Sequence, residues 1–178
     1  MTVLTDQLLA SFADSVRPTS AACTLPPLVY TDDEFFAFEK EAVFAREWLC
    51  LGRASQIPEP GDYVSADIIG ERLTMVRGHD RRIRVLAPVC QHRGMILAPG
   101  SGSCRAFKCP YHHWVYGLDG RLLGARGMER AENFDPARYG LPSLPVELWQ
   151  GFVFTTLNPN PRPLAPRLAK LDELLAPF

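Results

Sequence analysis

Two features that mark other classes of protein are missing from this sequence. No stretch reaches the roughly 18 apolar residues that a membrane-spanning helix needs. The 19 lysines and arginines are balanced by 20 aspartates and glutamates, whereas a nucleic-acid-binding face needs a basic excess. We therefore expect neither a membrane protein nor a nucleic-acid partner.

The usual signs of export are also missing. The N-terminus has no positively charged start, and Asp6 interrupts its apolar residues, which predicts a short amphipathic helix near Leu4 to Ala13 instead of a signal peptide. Five cysteines are an odd number, and their spacing suggests no disulfide framework. We expect a cytoplasmic protein, in which clustered cysteine and histidine indicate metal before disulfide.

Helical patterns are found near both ends of the chain. Thr31 is followed three residues later by Glu34, a capping-box pattern that predicts a helix with Thr31 as its N-cap. Towards the other end, a Pro-rich stretch predicts a linker, and the sequence "LAKLDELLAPF" predicts the start of another helix.

Between these ends, short stretches of β-type residues are separated by turn residues. Gly70 and the Asp-Gly pair within Leu118 to Arg121 indicate two of these turns. We therefore predict a mainly β protein with helical ends, divided into a helical segment, a β domain, and a linker with a helix start. The corresponding ranges are 1–47, 48–157 and 158–178.

Histidine is scarce, yet three of the four histidines and three of the five cysteines lie between Val89 and Leu122. Within this window Cys90, His92, Cys109 and His112 form the pattern C-x-H followed by C-x-x-H. Zinc, iron and iron–sulfur clusters all accept such ligands. One zinc ion could take all four. A two-iron cluster could instead bind both thiolates on one iron and both imidazoles on the other.

The spacing favours the two-iron cluster. Two facing loops that each carry a cysteine and then a histidine present a sulfur pair at one end and a nitrogen pair at the other. Zinc modules more often pair C-x₂-C with a second knuckle or with H-x₃₋₅-H. Two-iron, two-sulfide clusters with two cysteines and two histidines are of the Rieske type.

The motifs "CQHRGM" and "CPYHHWVYGLDGRL" resemble the Rieske domain of the Rieske non-haem iron oxygenases, the large subunits of ring-hydroxylating dioxygenases and related monooxygenases. The similarity covers about residues 28–178, and "HWVYGLDG" and "ENFDP" add a weaker similarity to the choline monooxygenases. The resemblance implies an antiparallel β-sandwich with a two-loop cluster-binding subdomain. It also implies that Cys90 and Cys109 bind one iron of a [2Fe–2S] cluster and that His92 and His112 bind the other.

The neighbours of these ligands suggest how the cluster is tuned. Respiratory Rieske proteins have a disulfide beside the cluster, and Met95 and Tyr111 occupy those positions here. Trp114 stands where they have a serine, so we expect a reduction potential in the lower part of the range of ~−150 to +300 mV. Tyr116 either donates its hydroxyl to a cysteine sulfur or is a core tyrosine, and Trp114 either covers the cluster or fills the core. Cys104 is expected to be a plain thiol.

Three further residues adjoin the ligands. Arg93 and Gly94, in the first motif, are expected beside the cluster. His113 departs from the resembling family, which usually has glycine at this position. If the loop needs a positive φ there, histidine tolerates it poorly, although better than a β-branched residue does.

The resembling oxygenases hold a second iron between two histidines and a carboxylate in a C-terminal domain. Outside the four ligands only His79 and His113 remain, so we expect no oxygen-activating site in this chain. The resemblance implies an oxidoreductase component that relays electrons from a reductase or ferredoxin to a mononuclear iron elsewhere, in a homotrimer. Two alternatives stay open, a zinc-binding structural module and a truncated remnant without a cluster.

Overall fold

A computed structural model describes residues 6–176, which divide into two units, the first ending at Arg46 and the second beginning at Glu47. The first unit contains the helices α1 (Asp6–Ser11), α2 (Leu28–Thr31) and α3 (Asp33–Glu39), and a π-helical turn, Lys40–Phe44, continues α3. The helix expected near the N-terminus is therefore present from Asp6, and Leu4 lies outside the described residues. In the described part of the chain, no helix is both long and apolar enough to cross a membrane.

The predicted N-cap at Thr31 is wrong by one residue. Thr31 ends α2, and its hydroxyl donates a hydrogen bond to the carbonyl of Pro27. The N-cap of α3 is Asp32, whose carboxylate accepts a hydrogen bond of 2.7 Å from the backbone N–H of Phe35. Aspartate is at least as good an N-cap as threonine, and the short helix before it already uses Thr31.

The second unit consists mainly of antiparallel strands, as the sequence predicted. Three sheets have the strand orders β1-β11-β10, β5-β2-β3-β4-β9 and β6-β7-β8. The strands are β1 (Leu49–Arg53), β2 (Asp62–Ile68), β3 (Glu71–Arg77), β4 (Ile83–Leu86), β5 (Ser101–Ser103), β6 (Phe107–Lys108), β7 (Val115–Tyr116), β8 (Leu122–Gly124), β9 (Ser143–Leu144), β10 (Val146–Trp149) and β11 (Phe152–Thr155).

The five-stranded sheet separates two hydrophobic cores because its central strands are apolar on both faces. On β3, Met75 packs into one core and Val76 into the other, and on β4 Val85 and Leu86 are divided in the same way. Successive side chains of a strand point to opposite faces, so a continuous apolar run supplies both cores. The core that contains Val76 and Leu86 also contains Cys90 and Cys109.

The two turns predicted from glycine are present. Ile69 and Gly70 both have positive φ, 50° and 92°, as a two-residue type I′ hairpin requires. In the second turn the carbonyl of Gly117 accepts from the N–H of Gly120, and the N–H of Gly117 donates to the carbonyl of Arg121. Gly120 (φ 85°) is its left-handed residue, so this is a three-residue hairpin with a glycine bulge and not a two-residue Asp-Gly turn.

The helix expected after the Pro-rich stretch is α4 (Ala165–Leu175). The carboxylate of Glu147 on β10 accepts hydrogen bonds from the N–H groups of Leu164 (3.1 Å) and Ala165 (3.3 Å) at its start. Further along the helix, Trp149 Nε1 donates to Asp172 Oδ1 at 2.7 Å. A helix N-terminus has free N–H groups that favour a carboxylate, so strand β10 fixes the position of α4.

Candidate metal centre

Two loops with the same backbone hydrogen bonds carry the four candidate ligands. In the first, the N–H of Cys90 donates to the carbonyl of Met95 (2.8 Å), and the N–H of Gly94 donates to the carbonyl of Cys90 (2.9 Å). In the second, the N–H of Cys109 donates to the carbonyl of Trp114 (2.8 Å), and that of His113 donates to the carbonyl of Cys109 (3.0 Å). Each cysteine therefore opens an equivalent turn.

The loop pattern explains why position 113 is unusual. Gly94 and His113 each lie four residues after their cysteine, and both adopt positive φ, 72° and 61°. The positive φ that was the condition for strain at residue 113 is therefore present. A residue with a Cβ is strained in this conformation, whereas glycine adopts it freely. The first loop has glycine at this place and the second has histidine.

We expect His113→Gly to stabilise the chain by about 1 kcal/mol. The change removes the strain of a left-handed residue with a Cβ, and part of that gain is offset because glycine raises the conformational entropy of the unfolded chain. The midpoint of thermal unfolding should then rise by about 2–4 °C. Gly94→Ala, the reverse change in the matching loop, should lower the midpoint of thermal unfolding. Equal midpoints for His113→Gly and the unaltered chain would show that residue 113 carries no such strain.

The imidazoles of His92 and His112 lie next to each other, edge to face. Their ring centroids lie 4.6 Å apart with the planes at 74°. Among residues 6–176, the Nδ1 atoms of both rings are buried side-chain nitrogens without a hydrogen-bond partner. A buried polar atom without a partner costs free energy, and a neutral imidazole nitrogen is a common metal ligand. The two rings thus fit a metal that takes both Nδ1 atoms.

The two cysteines lie deeper than the histidines. Cys90 and Cys109 are 2% and 1% exposed, whereas both imidazoles are half-buried. Tyr116 lies beside the sulfur of Cys90, and burial, followed by its hydrogen bond to Cys90, raises the pKa of the Tyr116 hydroxyl. The site therefore has thiols inside and imidazoles outside, the arrangement a Rieske cluster needs.

Tyr116 makes the hydrogen bond that the sequence raised as one of two roles, and it is also a fully buried core residue. Its Oη atom lies 3.4 Å from Cys90 Sγ and accepts a hydrogen bond of 3.0 Å from the N–H of Gln91. The hydroxyl proton is therefore free to point at the sulfur. A donor aimed at a thiolate stabilises the more negative, reduced form of a cluster.

Tyr116→Phe should accordingly lower the reduction potential. A hydrogen bond to a charged group contributes about 1.5 kcal/mol, which corresponds to roughly a tenfold change in the one-electron equilibrium, or ~60 mV. Protein-film voltammetry measures the shift, with Tyr63→Phe as a control that removes a hydroxyl from a tyrosine packed against the same core. An unchanged potential in Tyr116→Phe would show that the hydroxyl does not act on the sulfur.

Aromatic rings flank each imidazole differently. Trp114, 2% exposed, stacks on His92 with centroids 4.9 Å apart and planes at 11°, so it both fills the core and covers a ligand candidate. The exposed ring of Tyr111 packs on His112, with ring centroids 3.7 Å apart and planes at 33°. The sequence did not reveal the contact with Tyr111, although its place next to His112 was the available signal.

The other two expected neighbours act through charge and backbone. Partial burial lowers the pKa of His112, and electrostatic repulsion from the neighbouring His92, Arg93 and His113 lowers it further. Arg93 is exposed and adds positive charge beside this ring, while Gly94 provides the left-handed turn of the first loop. A lower pKa favours the neutral imidazole, the form that binds metal.

His79 and Cys104 lie outside these contacts. His79 is exposed, and its Nε2 lies 2.9 Å from the carbonyl of Arg105. Cys104 is half-buried, and burial raises the pKa of its thiol, which favours the protonated form over the metal-binding thiolate. Within the described chain, no three or more His, Cys, Asp or Glu side chains are grouped to hold a single metal ion. A two-iron cluster uses only two protein ligands on each iron.

Similarity to known proteins agrees with this site. The family described as Rieske [2Fe-2S] domain matches residues 47–144. The carnitine monooxygenase oxygenase subunit of Acinetobacter pittii is 38% identical over 155 residues, 86% of this chain and 42% of that protein. The glycine betaine monooxygenase oxygenase subunit of Chromohalobacter salexigens is 38% identical over 167 residues, 93% of this chain and 37% of that protein.

A solved structure extends the comparison to the fold. The apo form of the quaternary ammonium Rieske monooxygenase CntA superimposes with a TM-score of 0.81 at 38% identity, over 88% of this chain and 46% of that one. The chain spans less than half the length of these relatives. It belongs to the Rieske [2Fe–2S] domain family, and that family implies a Rieske [2Fe–2S] cluster.

Proposed function

We propose that this chain relays single electrons for an oxygenase through a [2Fe–2S] cluster, with residues 48–157 as the electron-transfer domain. Cys90 and Cys109 would bind one iron, and His92 and His112 the other. The observation that carries the assignment is the pair of buried, unpartnered Nδ1 atoms on adjacent rings, presented by two equivalent loops. When bound, the cluster supplies one-electron redox chemistry.

The protein's own part is to position the ligands and control their surroundings. Burial of Cys90 and Cys109 excludes water from the thiolates, while the half-buried imidazoles lie closer to the surface. The rings of His92 and His112 therefore provide the shortest route for electrons between cluster and partner. Tyr116 adds a hydrogen bond on the sulfur side.

The partners follow from the relatives' names and from the site. The donor would be a reductase or a ferredoxin, and the acceptor a mononuclear iron in a catalytic domain or subunit. Relatives named for carnitine and glycine betaine favour a quaternary ammonium compound as the substrate of that oxygenase. A solved relative, 37% identical, is described with inter-subunit electron transfer. This supports an oligomer, in our proposal a homotrimer, in which the cluster serves a neighbouring subunit.

Metal and sulfide analysis of the purified chain tests the proposal. We expect about two irons and two acid-labile sulfides per chain, and a rhombic, low-g electron paramagnetic resonance signal after reduction with dithionite. One zinc ion without sulfide would replace the proposal with a structural zinc module. A colourless chain that fails reconstitution with iron and sulfide would identify a remnant without a cluster.

A further inference from the structure

A small aromatic assembly lies behind one ligand ring. Trp114 contacts His92 with one face, as a near-parallel stack. Two other rings contact Trp114 edge to face. The ring centroid of Phe134 lies 5.7 Å from that of Trp114 with the planes at 68°, and the centroid of Tyr139 lies 5.8 Å away with the planes at 83°. Phe134 and Tyr139 also contact each other at 4.9 Å. Edge-to-face pairs are favourable arrangements for aromatic rings, so Trp114 is held by rings on more than one side.

The segment that supplies these two rings has a defined backbone. Asn133 adopts φ 61°, a conformation that asparagine tolerates well. Asp135 then caps a short 3₁₀ helix, Pro136–Tyr139, by accepting from the N–H of Ala137 at 3.0 Å. Phe134 thus lies just before the capped turn, and Tyr139 is its last residue.

The same segment is joined to the hairpin that follows the second ligand loop. The N–H of Leu141 donates to the carbonyl of Gly120 at 2.7 Å. A Cβ on Gly120 would approach the carbonyl oxygen of Leu141 to 2.9 Å, so the two backbones are in close contact. The hairpin β7–β8 begins immediately after Trp114. The position of the aromatic pair is therefore fixed relative to the loop that carries His112.

We infer that Phe134 and Tyr139, here called the aromatic clamp, are positioning residues for the cluster. They hold Trp114 face to face with His92 and so fix the orientation and electronic surroundings of that imidazole. This inference rests on the proposed function, because it assigns the clamp a role towards the same site. It gives the "ENFDP" motif a function beyond packing, since Phe134 lies within that motif.

The direction of the effect follows from the charge on the ligand. An imidazole bound to the more oxidised iron carries more positive charge, and the face of an indole ring attracts positive charge. Stacking on Trp114 therefore favours the oxidised form, and loss of the stack should raise the reduction potential. We expect about a threefold to fivefold change in the one-electron equilibrium, which corresponds to ~30–40 mV.

The test compares variants of the clamp with variants that leave it intact. Phe134→Leu, Tyr139→Leu and their combination remove clamp rings, and Trp114→Leu removes the stacked ring itself. Tyr139→Phe keeps the ring and should behave like the unaltered chain. Tyr63→Leu is the control for lost packing, because Tyr63 packs against the same core and its ring contacts Phe107. The single variants remain informative where the combination fails to fold.

The readouts are the reduction potential and the g-values of the reduced chain. We expect both to change in the clamp variants in the same direction as in Trp114→Leu, and to stay unchanged in Tyr139→Phe and Tyr63→Leu. Unchanged values in both single clamp variants, beside a shift in Trp114→Leu, would overturn the inference. An equal shift in Tyr63→Leu would also overturn it, because the effect would then be general loss of packing.

A second readout separates this inference from the proposed function. If metal analysis finds no iron or sulfide, the proposed function fails, but the chain is then diamagnetic and the His92 ring protons can be observed by NMR. A ring stacked on indole shows upfield ring-current shifts. Loss of these shifts in Phe134→Leu or Tyr139→Leu would support the clamp as a device that positions His92, and their persistence in both would overturn it.

Discussion

Replacing Cys90 with serine is expected to abolish cluster binding. The serine hydroxyl stays protonated at neutral pH and is a harder donor than a thiolate, which iron–sulfur clusters require. Cys90 is 2% exposed, so the new hydroxyl would also be buried in an apolar core, which costs free energy unless it finds hydrogen-bond partners. Loss of a residue that only hydrogen-bonds a metal ligand already lowers metal affinity about 10–100-fold. Loss of a ligand itself should lower it further. Iron, sulfide and the visible spectrum report the result.

Cys104→Ser is the matched control for this prediction. Cys104 packs against the same core, but it is half-buried and burial raises the pKa of its thiol. The same substitution there should leave iron and sulfide content unchanged. Cys109→Ser should repeat the loss seen in Cys90→Ser. A normal visible spectrum in Cys90→Ser would reject the ligand assignment, and loss of the cluster in all three variants would indicate general damage to the core.

The sequence allowed the ligand candidates and most strands to be predicted because both depend on local patterns. C-x-H and C-x-x-H are short motifs, and the strands around Gly70 and Gly120 are bounded by residues that favour turns. A positive φ at His113 was raised as a condition by comparison with a family that usually has glycine there, and it is present. The equivalence of Gly94 and His113 became visible only from the backbone hydrogen bonds of the two loops.

Contacts between distant segments could not be predicted in this way. Nothing local shows that Phe134 and Tyr139 meet Trp114, because these contacts depend on a segment returning to the hairpin at Gly120. The error at the start of α3 was of a different kind. Thr31 and Asp32 are both good N-caps, and the choice between them depended on a short helix, α2, that the capping pattern did not reveal.

The second large effect concerns the hairpin that connects the ligand loop to the aromatic clamp. Gly120→Ala should destabilise the chain by about 2–3 kcal/mol. Gly120 has φ 85°, which strains any residue with a Cβ, and the new Cβ would lie 2.9 Å from the carbonyl oxygen of Leu141. That atom belongs to the backbone and cannot move away as a flexible side chain would. Urea unfolding followed by circular dichroism measures the loss.

Two other glycines separate the two causes of this loss. Gly70 also has positive φ (92°), but among the described residues no atom lies within 4 Å of the position that a Cβ would take there, so Gly70→Ala should show only the conformational strain, about 1 kcal/mol. Gly124 is equally open and lies in β8, so Gly124→Ala should be close to neutral. Equal losses in Gly120→Ala and Gly70→Ala would show that the contact with Leu141 adds nothing. A larger loss at Gly120, with a shifted reduction potential, would connect this backbone contact to the position of the clamp and hence to His92.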